Sequence, residues 1–296
     1  MLFGSCFSEN IGDKLLDYRF RAEVNPFGIL YNPMSISRAI RRLISRKSFS
    51  ETDLIFHNEM YHSLMHHGDY SEMDKNVCLK NISERFSAAA DFIRETDVFL
   101  ITFGTAYIYK WKATGEVVGN CHKIPADKFS RFRLSVDEIV AEWSEIISEI
   151  KSKNGSQNKR VKFLFTVSPI RHWKDGAHEN QVSKSILHLA IDNLQSRFDD
   201  VHYFPAYEIL LDELRDYRFF AEDMMHPSSV AIDYIWERFS EVYFGDRTKK
   251  INEEWLQIFR AINHKPINSE TEAHQKFLEK TKLKMEAFFE KYPAIL

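Results

Sequence analysis

The chain has 296 residues, 44% of them hydrophobic and 28% charged, with only 10 glycines and 8 prolines. That composition excludes collagen-like and disordered low-complexity classes. A net charge of −3 with neutral histidines excludes a general electrostatic attraction to nucleic acid, and no apolar run approaches the ~18 residues that span a bilayer.

Met1-Leu2-Phe3 is the first apolar run. It is short for a core strand of about 5–6 residues, so the expectation is that further sequence precedes Met1. Gly4-Ser5 follows, and then a helical pattern from Ser8 to Phe20. A weak strand is expected at Ala22–Val24 and a basic amphipathic helix at Ile36–Leu43. Residues 48–75 are irregular and rich in histidine, too long for a plain connection, and are expected to build part of a site or lid. Asn76–Glu95 reads as helix. Val98–Phe103 is a continuous apolar run of the kind buried on both faces of a sheet.

Tyr107–Lys112 and Glu116–Gly119 predict a hairpin turning at Thr114-Gly115. Ser135 and Glu138 form a capping box, and Ile139, Trp143, Ile146, Ile147 and Ile150 make one apolar stripe behind it. A polar loop is expected at 152–159, a strand at Val161–Val167, a helix at 179–197 and a fifth strand at Val201–Phe204. A last helix of this region follows His226-Pro227, with Pro227 at its first position, and runs to about Phe244. Residues 246–296 carry two helical patterns and no strand signal.

Alternating strands and helices with short connections predict an α/β fold with a mostly parallel sheet. Residues 1–245 form the main domain and 246–296 a helical extension packed on it through Trp255, Phe259, Ile262, Phe277 and Phe288. Sites in such sheets lie beyond the carboxyl ends of the strands. Gly4-Ser5, Gly104-Thr105 and Ser168-Pro169 all fall there.

Two short segments carry chemistry. A serine between a strand and a helix is exposed at the sheet rim beside helix N-terminal amides, where a hydroxyl can attack and the resulting oxyanion is stabilised. The same position also suits a simple helix N-cap. In Asp223-Met224-Met225-His226-Pro227 the carboxylate can reach the imidazole and fix its tautomer, leaving the other ring nitrogen as a base. The chain order Ser, Asp, His, with the last pair after the final strand, favours a catalytic reading over a capping histidine.

At these residues the sequence resembles the GSCFA domain family, part of the SGNH/GDSL hydrolase-like superfamily. Gly4-Ser5-Cys6-Phe7-Ser8 looks like the name-giving motif. The resemblance continues through Asn25–Pro33, Thr102–Ala106, Gly119–Lys123, Thr166–His172 and Asp223–Pro227, covering roughly residues 2–245. It implies a three-layer α/β/α sandwich with a five-stranded parallel sheet. It also implies Ser5 as nucleophile, His226 as base, Asp223 as orienting acid and Gly28 as a backbone oxyanion donor beside the Ser5 amide. The third superfamily block usually supplies an asparagine, but Gly104-Thr105-Ala106-Tyr107 has none. Thr105 or Asn120 is expected to take its place.

Gly104, His122, Ser168, Arg171 and His172 are expected to bind substrate, Arg171 by pairing an acidic group. Cys6, at a helix start, is a rival nucleophile or a small packing residue. His57, His62, His66 and His67 form the densest histidine cluster. His62 and His66 could share a metal on one helical face, but no third ligand stands at a convincing spacing, and no metal or cofactor is expected. The basic run Arg38–Lys47 lacks interleaved aromatic platforms and reads as a solvated helix face.

The expectation is a serine acyl hydrolase or acyltransferase acting on a small O-acyl ester, the superfamily suggesting one on a carbohydrate. Rival readings are a non-catalytic binding protein on the same scaffold and a metal-dependent hydrolase using His57–His67. Three widely separated cysteines give no disulfide framework. Residues 1–20 lack a basic stretch followed by an apolar one. The chain is therefore expected in the cytoplasm, without nucleic-acid or membrane partners and with no oligomeric state specified.

Overall fold

In the computed structural model, which describes residues 1–155, 160–266, 268 and 271–295, the apolar run Val98–Phe103 lies in the interior of a parallel sheet. The strands in chain order are β1 (Leu2–Phe3), β2 (Leu54–His57), β3 (Met60–Ser63), β4 (Val98–Phe103), β5 (Tyr107–Trp111), β6 (Val117–Val118), β7 (Phe129–Arg133), β8 (Lys162–Val167) and β9 (Val201–Tyr203). The helices are α1 (Cys6–Asp17), α2 (Pro33–Ser45), α3 (Lys75–Phe92), α4 (Val136–Gly155), α5 (Ala177–Arg197), α6 (Ala206–Glu208), α7 (Ser229–Tyr243), α8 (Asp246–Ile262) and α9 (Glu272–Lys291). α6 continues as a π-helical stretch over Ile209–Leu214.

The main sheet has the order β1-β4-β8-β9, all parallel. Its odd-numbered face buries Phe99, Ile101 and Phe103 with Phe163, Phe165 and Val167. The same core takes Ile36 and Leu43 of α2, Ile82 and Phe86 of α3, Trp143 and Ile147 of α4, and Leu187 of α5. Each such side chain contributes about 1.5–3 kcal/mol when fully buried. The opposite face meets the first turn of α1, where Ser8 Oγ lies 2.6 Å from Thr102 Oγ1 and 3.1 Å from Phe3 O.

The sheet has four strands where five were expected. Ala22–Val24 reduces to a single parallel bridge, Leu2 to Val24, because β1 itself offers only two residues to pair with. Two smaller sheets complete the strands. β2 and β3 form a hairpin through Asn58 and Glu59, both at positive φ, inside the stretch read as irregular. β5 pairs with β6 as expected, and also with β7, which the sequence reading missed. Its alternation Phe129-Ser130-Arg131-Phe132-Arg133 is short and strongly charged. α4 runs on through Gly155, into the segment read as a loop, while residues 156–159 lie outside the described residues. α7 starts at Ser229 and not at Pro227, which instead forms an antiparallel bridge with Phe220.

The chain divides into two compact units. The first comprises Met1–Asn10 and Glu23–Ile232, and the second takes Ile11–Ala22 with the chain from Asp233 onward. This division falls inside α1 and α7, ahead of the 245/246 boundary read from sequence. Within the second unit Trp255, Ile258 and Phe288 are buried together, and Trp255 Nε1 donates to Asp17 O at 2.6 Å. Among the described residues no helix is long and apolar enough to cross a membrane.

Candidate active site

Gly4 and Ser5 are the whole connection between β1 and α1. Gly4 sits at φ +150°, and a Cβ there would collide with Thr102 and Ser8, so only glycine lets the chain turn this tightly at the sheet edge. Its amide donates to Asn25 Oδ1 at 2.9 Å. Ser5 is buried, at 1% exposure, and not exposed at the rim as its position between strand and helix predicts. Its Oγ accepts from the Phe7 amide at 3.3 Å, as a helix N-cap does, and donates to Ser168 Oγ at 3.0 Å. Capping and placement at the rim therefore coexist in one residue.

Asp223 folds back on the segment that follows it. Its Oδ1 accepts from the Met225 and His226 amides, each at 2.9 Å, and its Oδ2 lies 2.5 Å from His226 Nδ1. These hydrogen bonds hold the carboxyl down to about 2, led by the His226 amide. An ionised carboxylate only accepts, so Nδ1 carries a proton, and it is Nε2 that is left to accept one when the ring is neutral.

Ser5, Thr105, Asn120, Ser168, Arg171, His172 and His226 line one cavity of about 590 Å³. That volume lies in the usual small-ligand range. Ser5 and His226 face this common space without a hydrogen bond between them; the hydroxyl is turned to Ser168.

Gly28, Gly104, His122 and Asp223 are not among the lining residues. The Gly28 amide donates to Asn25 O at 2.7 Å, and the residue needs to be glycine because it sits at φ +72° with His67 packed where a Cβ would stand. Its amide is thus engaged in a turn and does not face the cavity. The Gly104 amide donates to Tyr31 O at 2.8 Å. The His122 ring stacks on His62 at 4.5 Å between centroids, and its Nε2 donates to Ser63 O at 2.9 Å. Burial pushes His122 down to about 4.

The candidates for the missing asparagine separate. Thr105 Oγ1 accepts from the Tyr107 amide and lies 3.1 Å from Ser183 Oγ, while its own amide donates to Tyr31 O at 2.9 Å. Asn120 Oδ1 accepts from the His122 amide at 2.8 Å, which leaves its NH₂ group as a donor. A third residue has the same property and was not singled out from sequence. Asn32 lines the cavity and caps α2 through Oδ1, which accepts from the Ser35 amide at 2.8 Å, so its NH₂ is also left to donate. The signal lay in Asn32-Pro33, a cap followed by a first-position proline.

Lys184 was also missed. It projects from the apolar side of α5, is fully buried, and donates to Gly104 O and Ser168 O, both at 2.7 Å. One ammonium thereby ties together the chain just beyond β4 and just beyond β8. Desolvation lowers Lys184 to about 7. His172, lowered to about 4 mainly by burial, stands edge-on to Tyr31 with ring centroids 5.7 Å apart.

The other reactive candidates resolve into packing. Burial, reinforced by Glu9, raises the Cys6 thiol, opposite to what a nucleophile requires. His62 and His66 do not share a helical face, because His62 lies in β3. His62 Nε2 donates to His57 O at 2.9 Å and Nδ1 lies 2.7 Å from Ser71 Oγ, so both ring nitrogens are engaged. His66 stacks on Phe27 at 4.7 Å and is lowered to about 3 by burial. Among the described residues no three His, Cys, Asp or Glu side chains converge as metal ligands would.

Searches of curated proteins and of solved structures find no match. Residues 1–239 match the GSCFA family, and residues 255–295 match the GSCFA domain protein C-terminal domain. The first match spans both the Ser5 loop and the Asp223–His226 segment, and the chain belongs to the GSCFA family.

Proposed function

We propose that the protein is a serine acyl hydrolase or acyltransferase of SGNH type, its parallel sheet and flanking helices forming that superfamily's sandwich. Ser5 Oγ attacks the carbonyl carbon of a small O-acyl ester, and its proton passes to His226 Nε2. Asp223 stabilises the imidazolium through Nδ1. The tetrahedral oxyanion is held by the Ser5 amide and by the NH₂ groups of Asn32 and Asn120. Collapse expels the alcohol, which takes the proton from His226, and leaves Ser5 acylated. Water, or a second alcohol in a transferase, then attacks with His226 again as base.

The observation that carries this reading is the Asp223–His226 pair at 2.5 Å opening onto the cavity that Ser5 also lines. Productive attack requires the Ser5 hydroxyl to rotate from Ser168 towards His226, a tightening on substrate binding that such sites commonly undergo. Fluorophosphonate labelling tests it. Labelling of the wild type that is absent in Ser5→Ala and His226→Ala supports the triad. A wild type that neither labels nor hydrolyses p-nitrophenyl acetate would remove it.

A second reading, a non-catalytic binding protein on this scaffold, is favoured by two specific contacts. Ser5 donates to Ser168, and the Gly28 amide is engaged by Asn25. The same labelling experiment separates the two.

A further inference from the structure

The cavity walls carry a marked charge imbalance. Lys123, Arg131, Arg171 and Lys174 line it, and Asp175 is the one acidic residue among the lining side chains. Asp175 is neutralised by an ion pair with Arg131. Lys174 Nζ lies 3.3 Å from Tyr109 Oη, a neutral partner, and neither Lys123 nor Arg171 has a carboxylate partner among the described residues. Arg171 is half-buried, with its guanidinium 5.0 Å from the Phe220 ring centroid and 5.7 Å from that of Trp173. Aromatic faces hold the guanidinium in place and leave its hydrogen-bonding edge unsatisfied by any carboxylate.

Position makes this more than a surface charge. Ser168 is bonded directly to Ser5, and Arg171 follows three residues later in the same loop. Ser5 and Arg171 line the same cavity of about 590 Å³, so a small molecule that fills it meets the attacking hydroxyl and the guanidinium together. A planar guanidinium so held matches carboxylate or phosphate oxygens bidentately, and such charge-assisted bonds are among the strongest available to a ligand.

We infer that this cavity selects an ester bearing an anionic oxygen group, a carboxylate or a phosphate, which Arg171 engages while Lys123 and Lys174 on the same cavity wall add positive charge. The inference deepens the Ser5 reading and rests on it for the identity of the reacting bond.

The test compares 4-nitrophenyl acetate with mono-4-nitrophenyl succinate and 4-nitrophenyl phosphonoacetate. The expected result is a kcat/KM preference of about tenfold or more for one of the anionic esters over acetate. Which one is preferred distinguishes carboxylate from phosphate. Arg171→Gln should lower that preference by about the same factor. Equal rates on all three esters, or a preference unchanged in Arg171→Gln, overturn the inference and leave Ser5 as nucleophile untouched. Hydrolysis of none of them counts against the Ser5 reading alone. In that case calorimetry on Ser5→Ala with monomethyl succinate, phosphonoacetate and methyl acetate decides. Selective binding of an anionic ligand that is lost in Ser5→Ala with Arg171→Gln sustains the inference, and equal or absent binding ends it.

Discussion

Ser5 Oγ donates to Ser168 Oγ at 3.0 Å, and Ser168 Oγ also accepts from the Ile170 amide at 3.3 Å. The two serines follow β1 and β8, which do not touch, because β4 lies between them. Their meeting is a property of the rim, where the connections after alternate strands converge. It also sets the resting position of the residue proposed to attack. Removing the acceptor should therefore release it. Ser168→Ala is expected to label with fluorophosphonate at least as fast as wild type, at a cost of about 1 kcal/mol in unfolding free energy for the Ile170 amide left without its acceptor. Labelling that falls to the Ser5→Ala level would instead make Ser168 an obligatory carrier of the Ser5 proton.

Asp223 holds His226 by side chain and backbone together, so an isosteric change should alter chemistry more than structure. In Asp223→Asn the carbonyl oxygen can keep the Met225 and His226 amides, while the NH₂ faces Nδ1 and forces the opposite tautomer. Ester hydrolysis should fall by about 10⁴ with an unchanged circular dichroism spectrum. A loss below tenfold would detach Asp223 from the mechanism. Because hydrogen bonding holds the Asp223 carboxyl down to about 2, it stays ionised throughout the neutral range, and no acid limb between pH 4 and 8 should arise from it.

Asn32 divides into two functions that separate cleanly. Its Oδ1 caps α2, and its NH₂ is the proposed oxyanion donor. Asn32→Asp keeps an equally good cap and removes the donor, and should reduce kcat by about 10²–10³ while the thermal midpoint is preserved. Asn32→Ala should lose the same activity and in addition about 1 kcal/mol of stability. If Asn32→Asp keeps wild-type turnover, the oxyanion is held by Asn120 and the backbone without it.

The buried bases give stability a pH dependence whose sign follows from their direction. Lys184 falls from 10.5 to about 7 on folding. Between those values the unfolded chain binds the extra proton, so this group's contribution to stability rises as pH rises through about 7. Lys184→Met, which cannot titrate, should lose that rise between pH 7 and 9. It should also unfold at lower temperature, because Gly104 O and Ser168 O lose their donor. His66, His122 and His172 are lowered from 6.5 to about 3, about 4 and about 4. Their contribution is complete above pH 6.5 and is lost as pH falls through those values. Denaturant midpoints measured from pH 7 to pH 4 should decline, and replacing His66 with an apolar residue of similar volume should flatten the decline.

Much of this was readable along the chain. Val98–Phe103 matches β4 residue for residue, and the Ser135–Glu138 capping box is present in both halves, Glu138 Oε2 accepting from the Ser135 amide at 2.8 Å and Ser135 Oγ from the Glu138 amide at 3.2 Å. These signals are local: an apolar run, a cap, a periodic stripe. β7 escaped because it is short and charged, and the β2–β3 hairpin because its strands are four residues each and only partly buried, so that in both cases the pairing partners supply the order. Gly28 was assigned to the oxyanion by motif, yet its amide is engaged three residues back by Asn25 O.

The sequence alone determined the α/β alternation, the GSCFA resemblance, and the strand ends at which Ser5, Thr105 and Ser168 would lie, because each rests on neighbours a few residues apart. Only the tertiary structure decided which groups meet there. It turned Ser5 towards Ser168, placed Lys184 between two strand ends, withdrew His122 against His62, and left Arg171 without a carboxylate partner. Those outcomes depend on contacts between residues from about 15 to more than 160 positions apart. No local pattern encodes them, since closing such loops is compensated only by the packing of the whole core.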